Sequence, residues 1–221
     1  MTLLPADDTP QYAYETDPAA IYRQSFSIVR QEADLSHLPK ALHPTAVRLI
    51  HSCGMTDLPQ DLMWSDDVLE AAQAAFSQRA SVICDVEMVA HGIIKNRLPE
   101  GSEVICTLND PSVRGLASEL KTTRSAAAVE LWSDRLDGAI VAIGNAPTAV
   151  FHLLEMIAAG GPKPAVILGF PVGFVGAAES KDALASNPFG IPYLAVKGRR
   201  GGSAMAAAAV NALAAGLPEE G

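Results

Sequence analysis

Five short apolar segments constrain the fold of this chain more than any other feature of its sequence. They are rich in valine and isoleucine, barely alternate with polar residues, and are punctuated by glycine or proline. Runs of this kind are typical of strands that are buried on both faces of a sheet. The segments span residues 81–86, 103–108, 138–144, 165–170 and 191–198.

Helical segments separate these predicted strands, including "RSAAAVELWSDRL" and "PTAVFHLLEMIAAG". Strands that alternate with helices form right-handed βαβ units, which build a parallel sheet. The sequence has no internal repeat and no composition break, so we expect one domain over residues 1–221, with 1–13 as a loose N-terminal lead-in. The fold class is therefore α/β.

Three further helices are expected before the first of these strands. Asp17 and Pro18 have the residue types of an N-cap and a first helical position. "HPTAVRLIHSCG" predicts a short second helix that ends at Gly54, and "SDDVLEAAQAAFSQRA" predicts a third.

Charge and composition exclude several classes of protein. The formal net charge of −9 argues against nonspecific nucleic-acid binding, which depends on lysine and arginine. No segment approaches 18 uninterrupted apolar residues, and the N-terminus lacks the basic and apolar regions of a signal peptide. The three cysteines are widely spaced in apolar contexts, which suits a reducing compartment. We expect a soluble, cytoplasmic protein without a membrane partner.

In an open parallel sheet, ligands bind at the carboxyl ends of the strands. "KGRRGGSAM" follows the last predicted strand and precedes a helix, where backbone amides favour a phosphate or a carboxylate. A glycine-rich turn with solvated arginines explains the same residues equally well.

Other polar residues near these strand ends have two interpretations each. Arg124 and Ser125 begin a helix, where the arginine either clamps a carboxylate or is simply solvated. Asn145 and Thr148 flank the start of another helix, where they either hold a polar ligand or cap the helix. Asp85 either pairs with a nearby carboxylate for acid–base work or accepts bonds from loop amides, and we favour the loop amides.

His51, in "RLIHSCG", is the candidate for proton transfer. A helix carries partial negative charge at its C-terminus, which is expected to raise the pKa of an imidazole there and to favour a general acid. The composition by itself favours a buried structural or capping histidine.

Motifs of the common cofactor classes are missing from the sequence. There is no phosphate-binding P-loop, no triple-glycine dinucleotide fingerprint and no serine nucleophile elbow. The five histidines form neither an HExxH motif nor a cysteine–histidine cluster, so no metal is expected.

Several long strings together resemble precorrin-8X methylmutases of aerobic cobalamin biosynthesis. They include "AIYRQSFSIVRQEADL", "CDVEMVAHG", "EVICTLNDP", "AIGNAPTAVFHLLEM" and "PVGFVGAAESKDAL", and the similarity runs from about residue 14 to residue 213. The resemblance implies a flavodoxin-like three-layer α/β/α fold with a five-stranded parallel sheet and extra N-terminal helices. It also implies a homo-oligomer with active sites near subunit interfaces, and neighbouring pathway enzymes as possible partners.

The family reaction is a 1,5-sigmatropic methyl shift from C-11 to C-12 of precorrin-8X, giving hydrogenobyrinate without a cofactor. The resemblance places the catalytic histidine at His51, as proton donor and acceptor near a ring C nitrogen. Ser52 stands where alanine is commoner, and its hydroxyl is expected to bond the preceding turn. Residues of the matching strings assigned to substrate binding are Ser25, Asp85, His91, Arg124, Ser125, Asn145, Thr148 and Lys181.

Three alternatives stay open from the sequence. The chain could carry hydrogenobyrinate without turnover, or act on the cobalt-containing substrate of cobalt-precorrin-8 methylmutases. It could also be a nucleotide-binding flavodoxin-like enzyme that uses "KGRRGGS", although the missing phosphate motifs argue against that reading.

Overall fold

The computed structural model describes residues 12–215, and most of the predicted N-terminal lead-in lies outside that range. Six strands form one sheet in the order β1-β6-β5-β4-β2-β3. The strands are β1 Leu62–Trp64, β2 Val82–Cys84, β3 Val104–Cys106, β4 Ile140–Ile143, β5 Val166–Gly169 and β6 Tyr193–Val196.

Helices connect the strands and also precede them. The α-helices are α1 Pro18–Glu32, α2 His43–Cys53, α3 Val68–Ser77, α4 Glu87–Gly92, α5 Val113–Glu119, α6 Arg124–Glu130, α7 Ser133–Leu136, α8 Pro147–Ala158, α9 Ala177–Ala185 and α10 Ser203–Ala215. Short 3-10 turns span Lys40–Leu42, Leu58–Asp61 and Lys95–Arg97.

The five predicted strands are confirmed and pair in parallel as β2 to β6. The expected strand count is wrong, because β1 adds a sixth strand antiparallel to β6, with Met63 opposite Ala195. β1 has only three residues and lies at the sheet edge, between charged and polar neighbours. Such a segment has no apolar run long enough to be recognised from the sequence.

The sheet is the middle of three layers, since side chains of successive strand residues point to opposite faces. On β4, Ile140 and Ala142 pack into the core beneath α1, α2, α3, α4 and α10. Val141 and Ile143 pack into the core shared with α6, α8 and α9. All four residues of β4 are buried, which explains why its sequence is continuously apolar.

The N-terminal helices form as their capping residues predict. The Asp17 carboxylate accepts from the N–H groups of Ala19 and Ala20 at 3.0 and 3.2 Å. One face of α1, carrying Phe26 and Val29, is buried. α2 packs against both α1 and α10, so the first and last helices of the described chain both lie beside it.

No helix within residues 12–215 combines the length and the apolar character needed to cross a bilayer.

Candidate active site

His51 lies in the last turn of α2, at the junction of three helices. Gly54 ends α2 with φ of 71°, and its N–H donates to the carbonyl of Ile50 at 2.7 Å. Glycine adopts this left-handed conformation without strain. The Ser52 hydroxyl donates to the carbonyl of Leu49 at 2.7 Å, as the sequence predicts. α2 packs on α1 and α10, so the imidazole is only partly exposed.

Three side chains of α1 hold the imidazole. The Oγ atom of Ser25 lies 2.8 Å from Nδ1 of His51. The Tyr22 ring stacks on the imidazole with centroids 5.6 Å apart, and the Phe26 ring lies 4.9 Å from it. Residues three and four apart share one face of a helix, which is why these three reach the same ring. Within the described residues, Nε2 of His51 has no hydrogen-bond partner.

The electrostatic environment of His51 corrects the expectation of a raised pKa. Burial of the ring lowers the pKa below its ordinary value, and the nearby Arg48 guanidinium lowers it further. Both effects disfavour the charged imidazolium. The free protein therefore holds His51 mainly as neutral imidazole at neutral pH.

A cavity of about 340 Å³ opens beside His51 between α1, α2, the end of α4 and α10. Tyr22, Arg48, Gly92 and Asn211 contribute to its walls. Three alanines of α10 also line it, and their small side chains leave the space open. A second cavity of about 190 Å³, lined by α1 and the end of α2, also reaches His51.

Asp85 is a buried structural carboxylate, which corrects its assignment to substrate binding. Its oxygens accept from the N–H groups of Gly144, Asn145 and Ala146 at 2.9, 3.0 and 2.8 Å. Burial raises the pKa of this carboxyl, while the three amide bonds oppose that shift. β2 and β4 lie side by side, so Asp85 fixes the loop after β4 at the carboxyl edge of the sheet. The loop-amide interpretation is the one that the geometry supports.

Lys181 is also a buried structural group and not an exposed ligand for a substrate carboxylate. Its side chain is fully buried, and Nζ donates to the carbonyls of Pro171 and Arg200 at 3.1 and 2.6 Å. Burial lowers the pKa of this ammonium to about 8. Lys181 thus joins the loops that follow β5 and β6.

Arg124 is exposed at the carboxyl edge of the sheet, at the start of α6. Its Nη2 donates to the Leu108 carbonyl at 3.0 Å and to Oδ1 of Asn109 at 3.2 Å. Both acceptors are neutral, and within the described chain no carboxylate pairs with the Arg124 guanidinium. Ser125 follows it and is partly exposed.

Asn145 and Thr148 lie beside the start of α6. The hydroxyls of Thr148 and Thr123 are 2.8 Å apart, and Thr123 also caps α6 by accepting from the N–H of Ala126. Asn145 is exposed; its backbone N–H donates to Asp85, its carbonyl accepts from the N–H of Val172 at 3.4 Å, and its side chain has no hydrogen bond within the described residues. The structure therefore gathers four of the predicted residues at one edge of the sheet: Arg124, Ser125, Asn145 and Thr148.

His91 lies outside the cavity that His51 borders. It is exposed at the end of α4, and its Nδ1 lies 2.7 Å from the Glu87 carbonyl. It borders a separate cavity of about 270 Å³ together with Lys95 and Cys106. The neighbouring residue Gly92 is the one that reaches the His51 cavity.

The "KGRRGGSAM" segment forms a tight turn whose arginines are engaged by the protein. Arg200 pairs with Asp57 at 2.6 Å, and Arg199 lies over the Phe174 ring with its guanidinium carbon 5.2 Å from the ring centroid. A side chain at Gly201 would place its Cβ 2.4 Å from the Phe170 carbonyl oxygen. Close packing therefore explains this glycine. The segment forms the glycine-rich turn of the structural alternative, but its arginines contact the protein and are not simply solvated.

Tyr22, Phe26 and Arg48 are the site residues that sequence reasoning missed. The available signal was helical spacing: Tyr22 lies three residues before Ser25 and four before Phe26, and Arg48 lies three before His51. Within residues 12–215, no cluster of three or more histidine, cysteine, aspartate or glutamate side chains is arranged to hold a metal ion.

Comparison with known proteins gives a consistent assignment. The family model described as precorrin-8X methylmutase matches residues 20–215. A precorrin-8X methylmutase from Sinorhizobium sp is 57% identical over 205 residues, which covers 93% of this chain and 98% of the relative. A cobalt-precorrin-8 methylmutase from Priestia megaterium is 35% identical over 197 residues, covering 89% and 87%.

A solved structure shares the fold as well. The precorrin-8X methyl mutase from Thermus thermophilus superposes with a TM-score of 0.79 at 38% sequence identity, covering 88% of this chain and 93% of that one. The matched regions include α1, α2 and the whole sheet, which are the elements that position His51. The chain therefore belongs to the precorrin-8X methylmutase family and is an isomerase.

Proposed function

We propose that this isomerase acts on precorrin-8X in cobalamin biosynthesis, moving the methyl group from C-11 to C-12 to give hydrogenobyrinate, with His51 as proton donor and acceptor. The observation that carries the proposal is the position of His51: Ser25 engages Nδ1 at 2.8 Å, while the ring borders a cavity of about 340 Å³. In the imidazolium form, Nδ1–H donates to the Ser25 hydroxyl. Nε2–H is then left to donate to a ligand.

In the proposed reaction, Nε2 transfers its proton to a macrocycle nitrogen at or near ring C. The added charge draws electron density from the conjugated system, which lowers the barrier to migration. The bond from C-11 to the methyl carbon breaks as the bond to C-12 forms. The nitrogen then returns the proton to His51, so atoms, electrons and protons balance without an oxidant or reductant.

The lowered pKa of His51 in the free protein fits this role if the substrate itself promotes protonation. Precorrin-8X carries several carboxylates, and negative charge within a few ångströms favours the imidazolium. The partly buried position of His51 strengthens such interactions, because the effective dielectric constant there is lower than in bulk water. His51 then gains its proton when the substrate binds.

Sequence identity supports the metal-free substrate over the cobalt-containing one. The precorrin-8X methylmutase from Sinorhizobium is 57% identical to this chain, against 35% for the cobalt-precorrin-8 enzyme from Priestia. Purified protein should be incubated with each substrate separately, and product formation followed by visible absorbance. Faster conversion of precorrin-8X supports the proposal. Preferred conversion of cobalt-precorrin-8, or tight binding of precorrin-8X without conversion, contradicts it.

The homo-oligomer expected from the sequence is part of this proposal. Phe174 and Val175, in the loop after β5, are 84% and 89% exposed. Two large apolar side chains at one loop tip suit a surface that a second copy covers. Analytical ultracentrifugation should then give a mass above 23.1 kDa, whereas a monomer at working concentration contradicts the proposal. The cytoplasmic location and contacts with neighbouring pathway enzymes stay predictions.

A further inference from the structure

Arg48 is a buried cation that borders the same cavity as His51. It lies three residues before His51 on α2, so both side chains leave the helix on one face. Arg48 is only 5% exposed, and what remains accessible opens into the cavity of about 340 Å³. Arginine is rarely this buried unless a partner neutralises it.

The described part of the chain supplies no such partner. Within residues 12–215, Arg48 has neither an ion pair with a carboxylate nor a hydrogen bond, and its guanidinium carbon lies 5.9 Å from the Phe26 ring centroid. Other arginines do find carboxylates, as Arg135 finds Glu103 at 2.7 Å. Burial lowers the pKa of Arg48, and a second cation, Arg97, lowers it further.

A buried charge without a counterion costs stability, and an anionic ligand offsets that cost on binding. The guanidinium fork matches a carboxylate, which it can bind through two parallel hydrogen bonds. We propose that Arg48 binds a peripheral carboxylate of the tetrapyrrole inside the His51 cavity and thereby sets the macrocycle against Nε2 of His51. This inference rests on the proposed function.

The location of Arg48 also links ligand binding to proton transfer. In the free protein, its charge disfavours the imidazolium form of His51. A carboxylate paired with Arg48 cancels most of that repulsion, because the pair is nearly neutral when seen from the imidazole. Substrate binding at Arg48 would thus remove one of the two effects that hold His51 neutral in the free protein, and so favour its protonation when a proton is needed.

The test compares Arg48→Met with wild type and with Arg23→Met as a matched control. Arg23 is exposed on α1 and makes a surface pair with Asp17 at 3.8 Å. Loss of a charge-assisted contact that both binds and positions the macrocycle raises KM for precorrin-8X about 10- to 100-fold and also lowers kcat. Arg48→Lys should recover part of the loss, since it retains the charge without the fork. Arg23→Met should leave KM unchanged.

A second measurement separates binding from folding and from turnover. Hydrogenobyrinate and its methyl ester should be titrated into wild type and Arg48→Met by visible absorbance. Esterification should weaken binding less in the variant, since the variant has lost one carboxylate contact already. The ligand-free variant should unfold at the wild-type temperature or above, because it no longer buries an unpaired charge.

Equal penalties for esterification in both proteins overturn the Arg48 inference, whether or not precorrin-8X is converted. An unchanged KM in Arg48→Met overturns it too, while wild-type turnover leaves the proposed function standing. Failure of wild type to convert precorrin-8X rejects the proposed function by itself, and the titrations with the product still decide the role of Arg48.

Discussion

The Oγ atom of Ser25 lies 2.8 Å from Nδ1 of His51, so a residue of α1 orients the ring at the end of α2. The two residues are 26 positions apart in sequence and meet only because α1 packs on α2. This contact selects which ring nitrogen faces the cavity. In the proposed mechanism, proton transfer depends most directly on this contact.

Replacing Ser25 with alanine should lower kcat about 10- to 100-fold, the usual cost of removing a group that orients a functional histidine. The effect on KM should be smaller, since the ring still borders the cavity. Ser27→Ala is the control, because Ser27 is exposed on the same helix and, within residues 12–215, its hydroxyl has a hydrogen bond only from Gln31. Equal kcat values for wild type and Ser25→Ala would show that the contact is not used in catalysis.

The pKa of His51 in the free protein should lie below its ordinary value, because of burial and Arg48. Two-dimensional NMR titration of the imidazole measures it directly, and Arg48→Met should raise it. At pH values between the folded and the unfolded pKa of His51, the unfolded chain binds more protons than the folded one. The free energy of unfolding therefore rises with pH across that window, and it falls as the pH drops through the folded pKa. A titration at or above the ordinary pKa contradicts this electrostatic description.

Asp85→Asn should destabilise the protein by about 1–3 kcal/mol, because one amide oxygen replaces a carboxylate that serves three buried N–H groups. Urea unfolding measures the difference. Asp134→Asn, at an exposed position of α7, should stay within about 0.5 kcal/mol of wild type. Unchanged stability in Asp85→Asn together with a raised KM would return Asp85 to substrate binding.

Lys181→Met should likewise lower stability by about 1–3 kcal/mol, since the carbonyls of Pro171 and Arg200 lose their donor. KM for precorrin-8X should stay near the wild-type value, because the ammonium is buried between two loops. Steady-state kinetics at a temperature where the variant is folded checks this. A variant of wild-type stability with a raised KM contradicts the structural role.

The parallel core of the sheet could be predicted because β2, β4 and β5 are buried on both faces, which requires continuous apolar runs in the sequence. β3 and β6 have similar apolar runs, although β3 is only partly buried at the sheet edge. β1 has no such apolar run, since its three residues lie at the sheet edge and are held mainly by pairing with β6. The start of α1 at Asp17 and the end of α2 at Gly54 could also be predicted, because each residue acts on its own helix. Local signals thus predicted local structure.

The site was predictable in part for the same reason. His51 lies in a distinctive motif, so its position could be predicted. Its pKa could not, because it depends on burial and on Arg48, and the expected effect of a helix C-terminus takes account of neither. Asp85 lies in the loop after β2 and Lys181 lies on α9, and both sit in polar segments after strands that resemble binding segments by composition. Only the packed fold brings backbone amides to one of them and carbonyls to the other.

The most direct test of the central claim compares wild type with His51→Ala in the presence of precorrin-8X, followed by visible absorbance. Wild type should convert the substrate to hydrogenobyrinate, whereas His51→Ala should bind the macrocycle without converting it. His51→Ala that converts precorrin-8X at the wild-type rate would contradict proton transfer by His51.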